Sequence, residues 1–498
     1  MRLQLFALAA AAFAGPAPRP GYESQVVVLV VTTQGYDQDR PWEKKTPETR
    51  IVQAVVVDGP LLATTADLVE DATMILVEKH GRPLREPARI VHVDPDANLV
   101  LLTVDKPGFF EDLRPVVLAP SMPTEGQAST VRWRSGQFEV SASRITRIEV
   151  GTSQLGALEH AFLIVETDLS AGGWGEPVFA DGRLLGLTYS QDGKSATVTP
   201  VDILRSYLES VHAPGGYRGF ANLELFWQVN RDPALNRYLG LEGEPRGVLV
   251  TTVPWGSSAC GALFPRDILL GLDGHPIDAA GNYEDRRYGR LKFTQIVVDA
   301  HRAGDVIPGE VLRDGKKVAV RLTLKPAHGA SDLMPMRGAG AAPPYFVAGG
   351  LVFRELNADY LRTWGKDWQK KAPASLMTQY TLFRTNQTAA RRRVILLTQV
   401  LASAYNVGYG DLQDLPVASI NGRDVGSIAD LDEAFKHPEG KFHRIALLPN
   451  SVRAEVVLDA ATLAEATRAI LDEYHIPQAL RLPADPPPDL GDPCPQHP

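Results

Sequence analysis

The residues of this 498-residue chain that could do covalent chemistry are few, and they do not form a working set. Ser170 is the only hydroxyl between Asp168 and Pro177, in the glycine-rich stretch Ser170-Ala-Gly-Gly-Trp-Gly-Glu-Pro177. A serine becomes a nucleophile only when an imidazole takes its proton and a carboxylate holds that imidazole in the right tautomer. One candidate base, His92, lies in Arg89-Ile-Val-His-Val93, where the alternation reads as a strand and the imidazole faces outward. Asp67 and Glu176 are acids that a cleft could bring together as a carboxylate pair. The plainer reading is two surface acids. The eleven histidines are scattered, without H-E-x-x-H or a paired carboxylate-histidine spacing. Gly338-Ala-Gly340 imitates the start of a dinucleotide loop but follows no strand, and Gly304-Asp-Val-Ile-Pro-Gly309 lacks the Lys-Ser/Thr of a phosphate loop. Cys260 and Cys494 show no metal-type spacing, and their placement argues against a structural disulfide. No metal or cofactor is expected.

The elements that would position these residues are mostly strands. Ser24–Thr33, Arg50–Val57, Met74–Val77, Leu99–Val104, Ala161–Glu166 and Leu184–Thr188 are short apolar or alternating runs separated by turn residues. That spacing indicates a sandwich or barrel. Pro200–Val211 then carries apolar residues at helical spacing. His212-Ala-Pro-Gly-Gly216 and the Ala/Gly/Pro-rich stretch 327–344 read as linkers, and the Pro-rich residues 482–498 as a disordered tail. At this length about three domains are expected.

Hydrophobic content of 44% and charged content of 22% are those of a folded globular protein. A net charge of −8 gives no electrostatic reason to bind nucleic acid or an anionic membrane. The short basic run Arg391-Arg-Arg393 reads as a solvated edge. Residues 1–14 combine Arg2, an apolar run and Ala12-Phe-Ala14 before Gly15-Pro16, the layout of a secretory signal peptide. No run reaches transmembrane length. A secreted or periplasmic location is expected.

Three segments, in order, resemble those that carry His, Asp and Ser in HtrA/Deg-type serine proteases: Leu62–Glu70, Asp94–Val104 and Thr167–Phe179. The family patterns are roughly T-N-A-H-V-V, D-x-A-L-L-x-V and T-D-A-x-I-N-x-G-N-S-G-G-P. Residue by residue, His becomes Asp67, Asp becomes Asn98 and Ser becomes Trp174. The third segment is two residues short, so anchoring on Asp168 instead of Pro177 puts Glu176 in the nucleophile slot. Neither residue is a nucleophile. The resemblance implies an oxyanion hole built from backbone N–H groups of the nucleophile and its upstream neighbour on a glycine-rich turn. Gly172, Gly173 and Gly175 remain, but Trp174 and Glu176 argue against a working hole.

The resemblance extends from about 24 to 481, and Arg40-Pro-Trp-Glu-Lys-Lys45 is similar to a P-W-Q-R-K stretch of the plant-type Deg subgroup. It implies a mostly β chain: a trypsin-like double β-barrel (24–212) followed by two PDZ-like α+β domains (217–327 and 343–481). Asp267-Ile-Leu-Leu-Gly-Leu-Asp-Gly274 matches a frequent PDZ signature, with Phe293–Ala300 as the helix beside the peptide groove. PDZ domains add a peptide strand to a sheet edge and hold its carboxylate on loop N–H groups. The carboxylate loop maps onto Leu223, Glu224 and Leu225, with Glu224 in a glycine slot, where its charge opposes C-terminal peptides. In the second such domain it maps onto Gly349, Gly350 and Leu351, and the glycines leave the loop permissive.

Two functions follow as expectations. One is a catalytically inactive scaffold or regulator in protein quality control. It would bind peptides or unfolded proteins and assemble as a homotrimer, or as a hetero-oligomer with an active relative. The other is a serine endopeptidase with a relocated nucleophile, Ser170 paired with His92.

Overall fold

The computed structural model describes residues 21–152, 156, 158–327, 333–335, 342–365, 367–383, 388, 391–448, 453–484 and 494–495. The expected leader at 1–14, the Gly338–Gly340 imitation and most of the 482–498 tail lie outside them.

Strand β1 (Val26–Thr33) explains why its sequence is apolar without interruption. Val27, Leu29 and Val31 enter one core, while Val26, Val28 and Val30 enter another. A strand buried on both faces needs apolar residues at every position. The first core is wrapped by β1, β2 (Glu48–Val57), β3 (Leu61–Thr65), β4 (Ala72–Glu78), β5 (Arg85–Pro87), β6 (Arg89–Asp94) and β7 (Leu99–Thr103). Their order is β5-β4-β1-β2-β3-β7-β6. Since only Ala88 separates β5 from β6, one bent strand bonds β4 with its first part and β7 with its second, curling the sheet round.

The second barrel is closed, in the order β10-β13-β12-β11-β8-β9. It comprises β8 (Gly126–Arg134), β9 (Gln137–Thr152), β10 (Glu159–Thr167), β11 (Pro177–Ala180), β12 (Arg183–Asp192) and β13 (Ser195–Pro200). The 16-residue β9 escapes a search for apolar runs because Ser141, Arg144, Arg147 and Glu149 break its alternation. Helix α1 (Val201–Val211) starts straight after Pro200 and buries Val201, Ile203, Leu204 and Tyr207 against the barrels. Proline fits there because the first helical turn has no N–H partner to lose.

Beyond the turn at 212–216, β14 (Ala221–Asn222), β15 (Phe226–Val229), β16 (Val248–Thr252) and β17 (Ile268–Leu272) lead into a second α+β unit. Among the described residues β15 is the outermost strand of its sheet, paired only to β16 on its inner side. Helix α2 (Pro233–Tyr238) is capped by Asp232, and α3 (Gln295–Ala300) is buried along most of its length. This unit is not loosely tethered. Its core is continuous with that of the barrels, and Glu159 on β10 accepts from Lys292 Nζ at 2.9 Å and Thr294 Oγ1 at 2.7 Å.

An eight-stranded sheet forms the third unit, opening with a hairpin of Tyr345–Ala348 and Leu351–Glu355. Trp42, from the Arg40–Lys45 stretch, is buried in this unit among Tyr345, Val347, Val352 and Ile470. Arg354 is also buried and donates to the Gln38 side chain at 2.7 Å. The loop between β1 and β2 is thus the joint between the first barrel and the third unit.

Two expectations are corrected. Cys260 and Cys494 form a disulfide, across a sequence separation of 234 that nothing in the linear order of residues suggested closing. The run at 391–393 is not a solvated edge: Arg393 is buried 3.6 Å from Glu355, and Arg391 donates to Gln379 at 3.1 Å.

Candidate functional site

The three segments singled out in the sequence meet where the two barrels face each other. Asp67 sits on the short turn Ala66–Leu68 that follows β3, and Asn98 on the turn that precedes β7. Asn98 is fully buried with φ of +54°, a left-handed conformation that asparagine tolerates better than most residues. Its Oδ1 accepts from the Asp67 N–H at 2.9 Å and its carbonyl accepts from Ala66 N at 3.1 Å. Asn98 therefore clamps the turn that carries Asp67. Nearby, burial first and the Asp67 carboxylate second raise the Tyr189 hydroxyl above its ordinary pKa.

The third segment is tied across to the first barrel. Gln53 N, on β2, donates to the Trp174 carbonyl at 2.8 Å, and the Thr64 hydroxyl donates to Gln53 O at 2.7 Å. A side chain at Gly175 would place a Cβ 2.4 Å from Gln53 O, so this close approach requires glycine. The Trp174 indole does not plug the cleft; the residue is 42% exposed.

What lies inside is Glu176. It is 1% exposed, which corrects its reading as a surface acid. One carboxylate oxygen, Oε2, accepts from Gly173 N at 2.9 Å, from Trp174 N at 2.8 Å and from the Thr188 hydroxyl. The other, Oε1, stands 4.0 Å from Nη1 of buried Arg132, which is held by Glu139 at 2.7 Å and by the Ser170 carbonyl at 2.9 Å. Burying a carboxylate is costly unless it is paired and hydrogen-bonded, and both conditions are met here. Three donors on one oxygen tie the Glu176 carboxylate into the structure of the loop.

Ser170 is exposed on the rim of this loop. Among the described residues no hydrogen bond joins it to a histidine. His92 is half-buried instead of outward-facing. Its Nδ1 meets the Tyr207 hydroxyl at 2.8 Å, its ring lies 4.5 Å from that of Tyr217, and burial lowers its pKa. Sequence reasoning missed this because the partners are 115 residues and more away, on α1 and just beyond the linker.

The two mapped peptide loops differ. Leu223 is buried in the core that joins the barrels and the second unit, with Leu225 packed against it. Glu224 adopts φ of +46°, the left-handed region that favours glycine. β15 follows at once, and Trp227 stacks edge-on against Phe293 at 5.4 Å. The Gly349-Gly350 pair is a tight hairpin turn with φ of +56° and +89°. Its backbone is already used: Gly349 N donates to Thr467 Oγ1 at 2.9 Å, and Leu401 N donates to Gly350 O at 2.7 Å. Added Cβ atoms would fall 2.5 Å from the Tyr405 ring and 2.2 Å from Asn406 Nδ2. Both glycines and Leu351 are buried, so this loop is closed where it was expected to be permissive. The sheet edge beside it is also taken, since Leu480–Arg481 pairs with Tyr345–Phe346.

The class these features define is a mostly β chain of two trypsin-type barrels followed by PDZ-like α+β units. A model of the PDZ domain matches residues 334–481. "Protease Do-like 4, mitochondrial" of Arabidopsis thaliana is 24% identical over 447 residues, covering 88% of this chain and 81% of the relative. "Protease Do-like 2, chloroplastic" of the same plant is 25% identical over 463 residues, covering 91% and 74%. A solved structure of the HtrA-type protease AlgW with decapeptide is 20% identical, with a TM-score of 0.45 over 61% of this chain and 95% of that one. The chain is thus similar to HtrA/Deg-type proteases, the plant Deg proteases among them.

Proposed function

We propose that this chain is a catalytically inactive member of the HtrA/Deg type, a peptide- and protein-binding scaffold or regulator in protein quality control outside the cytoplasm. The observation that carries this reading is the absence, among the described residues, of a nucleophile-base arrangement in the cleft. Asp67, Asn98 and Trp174 occupy the mapped triad positions, and His92 bonds to Tyr207. Acyl transfer needs a hydroxyl or thiol activated by a base within hydrogen-bond reach.

In this reading peptides are captured as an added strand on the outer edge of β15, with Leu223, Glu224 and Leu225 at the carboxylate end. The closed Gly349-Gly350 loop takes no part. We take 24–212, 217–327 and 343–481 as the functional units. The barrels are retained as assembly surfaces for a homotrimer or a mixed oligomer with an active relative. Location outside the cytoplasm rests on the leader-like residues 1–14; among the described residues no helix is long and apolar enough to cross a membrane.

Because the Arabidopsis relatives are named as proteases, endopeptidase activity through Ser170 is the competing reading. Incubation with casein and with an unfolded model substrate separates the two. Hydrolysis at the rate of a no-protein control is expected. Turnover that disappears in Ser170→Ala would overturn the proposal.

A further inference from the structure

The backbone of the loop 170–176 is bent to aim donors inward. Ala171, Gly173 and Gly175 have φ of +53°, +93° and +82°, and between them the N–H groups of Gly173 and Trp174 converge on one point. Successive N–H groups around left-handed residues form a concave nest that binds anions. The Thr188 hydroxyl adds a third donor from β12, and the Arg132 guanidinium adds positive charge from β8. Glu176, Gly173, Thr188 and Arg132 are buried. Gly173 and Gly175 are enclosed, and a Cβ at Gly173 would meet the backbone of Gln191 at 2.8 Å. Such a site would be strongly unsatisfied if empty, because each buried donor left without a partner carries its full desolvation penalty.

We propose that this nest is an anion site for a small carboxylate, and that its resident ligand is the chain's own Glu176. The proposal rests on the reading of the cleft as non-catalytic, and adds that the cleft is closed from within by an intramolecular carboxylate. The two N–H groups that the family resemblance assigns to a developing oxyanion are the two that Glu176 holds. Any external anion must displace a tethered one, which loses no translational freedom on binding. Glu176 is a positioning residue: it fixes the loop between β10 and β11 by satisfying donors from that loop and from β12.

Truncation to Glu176→Ala removes the carboxylate and leaves room and charge for a free one. In thermal unfolding, Glu176→Ala should melt several degrees below the wild type. Formate or acetate, titrated at constant ionic strength against chloride, should recover at least half of that loss along a saturable curve. The wild type and Glu176→Gln should not respond, the glutamine because its amide still fills the space. Equal response of all three proteins to formate, or no response from Glu176→Ala, overturns the proposal. If Glu176→Ala does not fold, Glu176→Gln still decides it. With selective glycine and tryptophan 15N labelling, the Gly173 and Trp174 amide protons should move upfield on loss of the charged acceptor. Unmoved resonances would also overturn it. Casein assays on the same samples keep the two readings apart: rescue by formate together with Ser170-dependent hydrolysis would leave the anion site standing and remove the inactive-scaffold proposal.

Discussion

At the residue scale the family-like segments were legible in the sequence, and the side chain that fills the loop between them was not. The mapping of Asp67, Asn98 and Trp174 onto the family's triad positions rests on motif, each standing in a short segment flanked by family-like residues. The inward turn of Glu176 could not, since its donors come from Gly173, Trp174 and Thr188 through a loop conformation that composition does not encode. His160 is a second residue whose state depends wholly on the fold. It is fully buried on β10, Nδ1 lies 2.9 Å from the Ala161 carbonyl, and Nε2 has no partner among the described residues. Burial pushes its pKa down to about 4 from the ordinary 6.5. Between those values the unfolded chain binds more protons than the folded one, so stability rises with pH across that window. The contribution is complete above pH 6.5 and is lost as pH falls, amounting to about 3 kcal/mol by pH 4. Urea unfolding between pH 7 and 4 should show this slope for the wild type and a flatter one for His160→Leu. Parallel pH profiles for the two proteins would rule out His160 as the source.

At the element scale apolar or alternating runs announced β1, β2, β4, β6, β7, β10 and β12, and spacing announced helix α1. β9 was missed because polar and charged residues interrupt its apolar run, whereas α3 was reached through the family resemblance, as Phe293–Ala300. The loop before β15, onto which the resemblance maps a carboxylate site, shows a local conflict at Glu224. Glu224 holds φ of +46° where a side chain costs about 1 kcal/mol relative to glycine. Glu224→Gly removes that strain together with a negative charge beside the mapped carboxylate site. The variant should bind C-terminal peptides at least several-fold more tightly in isothermal titration. Tight carboxylate-dependent binding by the wild type, unchanged in the variant, would mean that Glu224 does not face the ligand.

At the scale of the whole molecule, domain order was readable from linkers and motif blocks, but the joints between units were not. Long-range joints depend on residues that look ordinary in sequence. Trp42 fills a pocket of the third unit, Glu159 anchors the second, and the Cys260–Cys494 disulfide ties the carboxyl-terminal tail to it. With the third unit closed at its loop and at one sheet edge, the scaffold reading assigns capture to β15 and assembly to the barrels. Light scattering at micromolar concentration should therefore give a trimer for the full chain. A strict monomer would remove the assembly role from residues 24–212.

The proposed inactivity requires a cleft without an activated nucleophile. The most direct measurement is reaction of the native full chain with a serine-directed fluorophosphonate probe, followed by peptide mapping, with an active HtrA-type protease treated in parallel. Labelling of the active protease is expected, and none of this chain at Ser170 or elsewhere in 167–179. A stoichiometric adduct on Ser170, abolished by unfolding before the probe is added, would contradict the proposed inactivity.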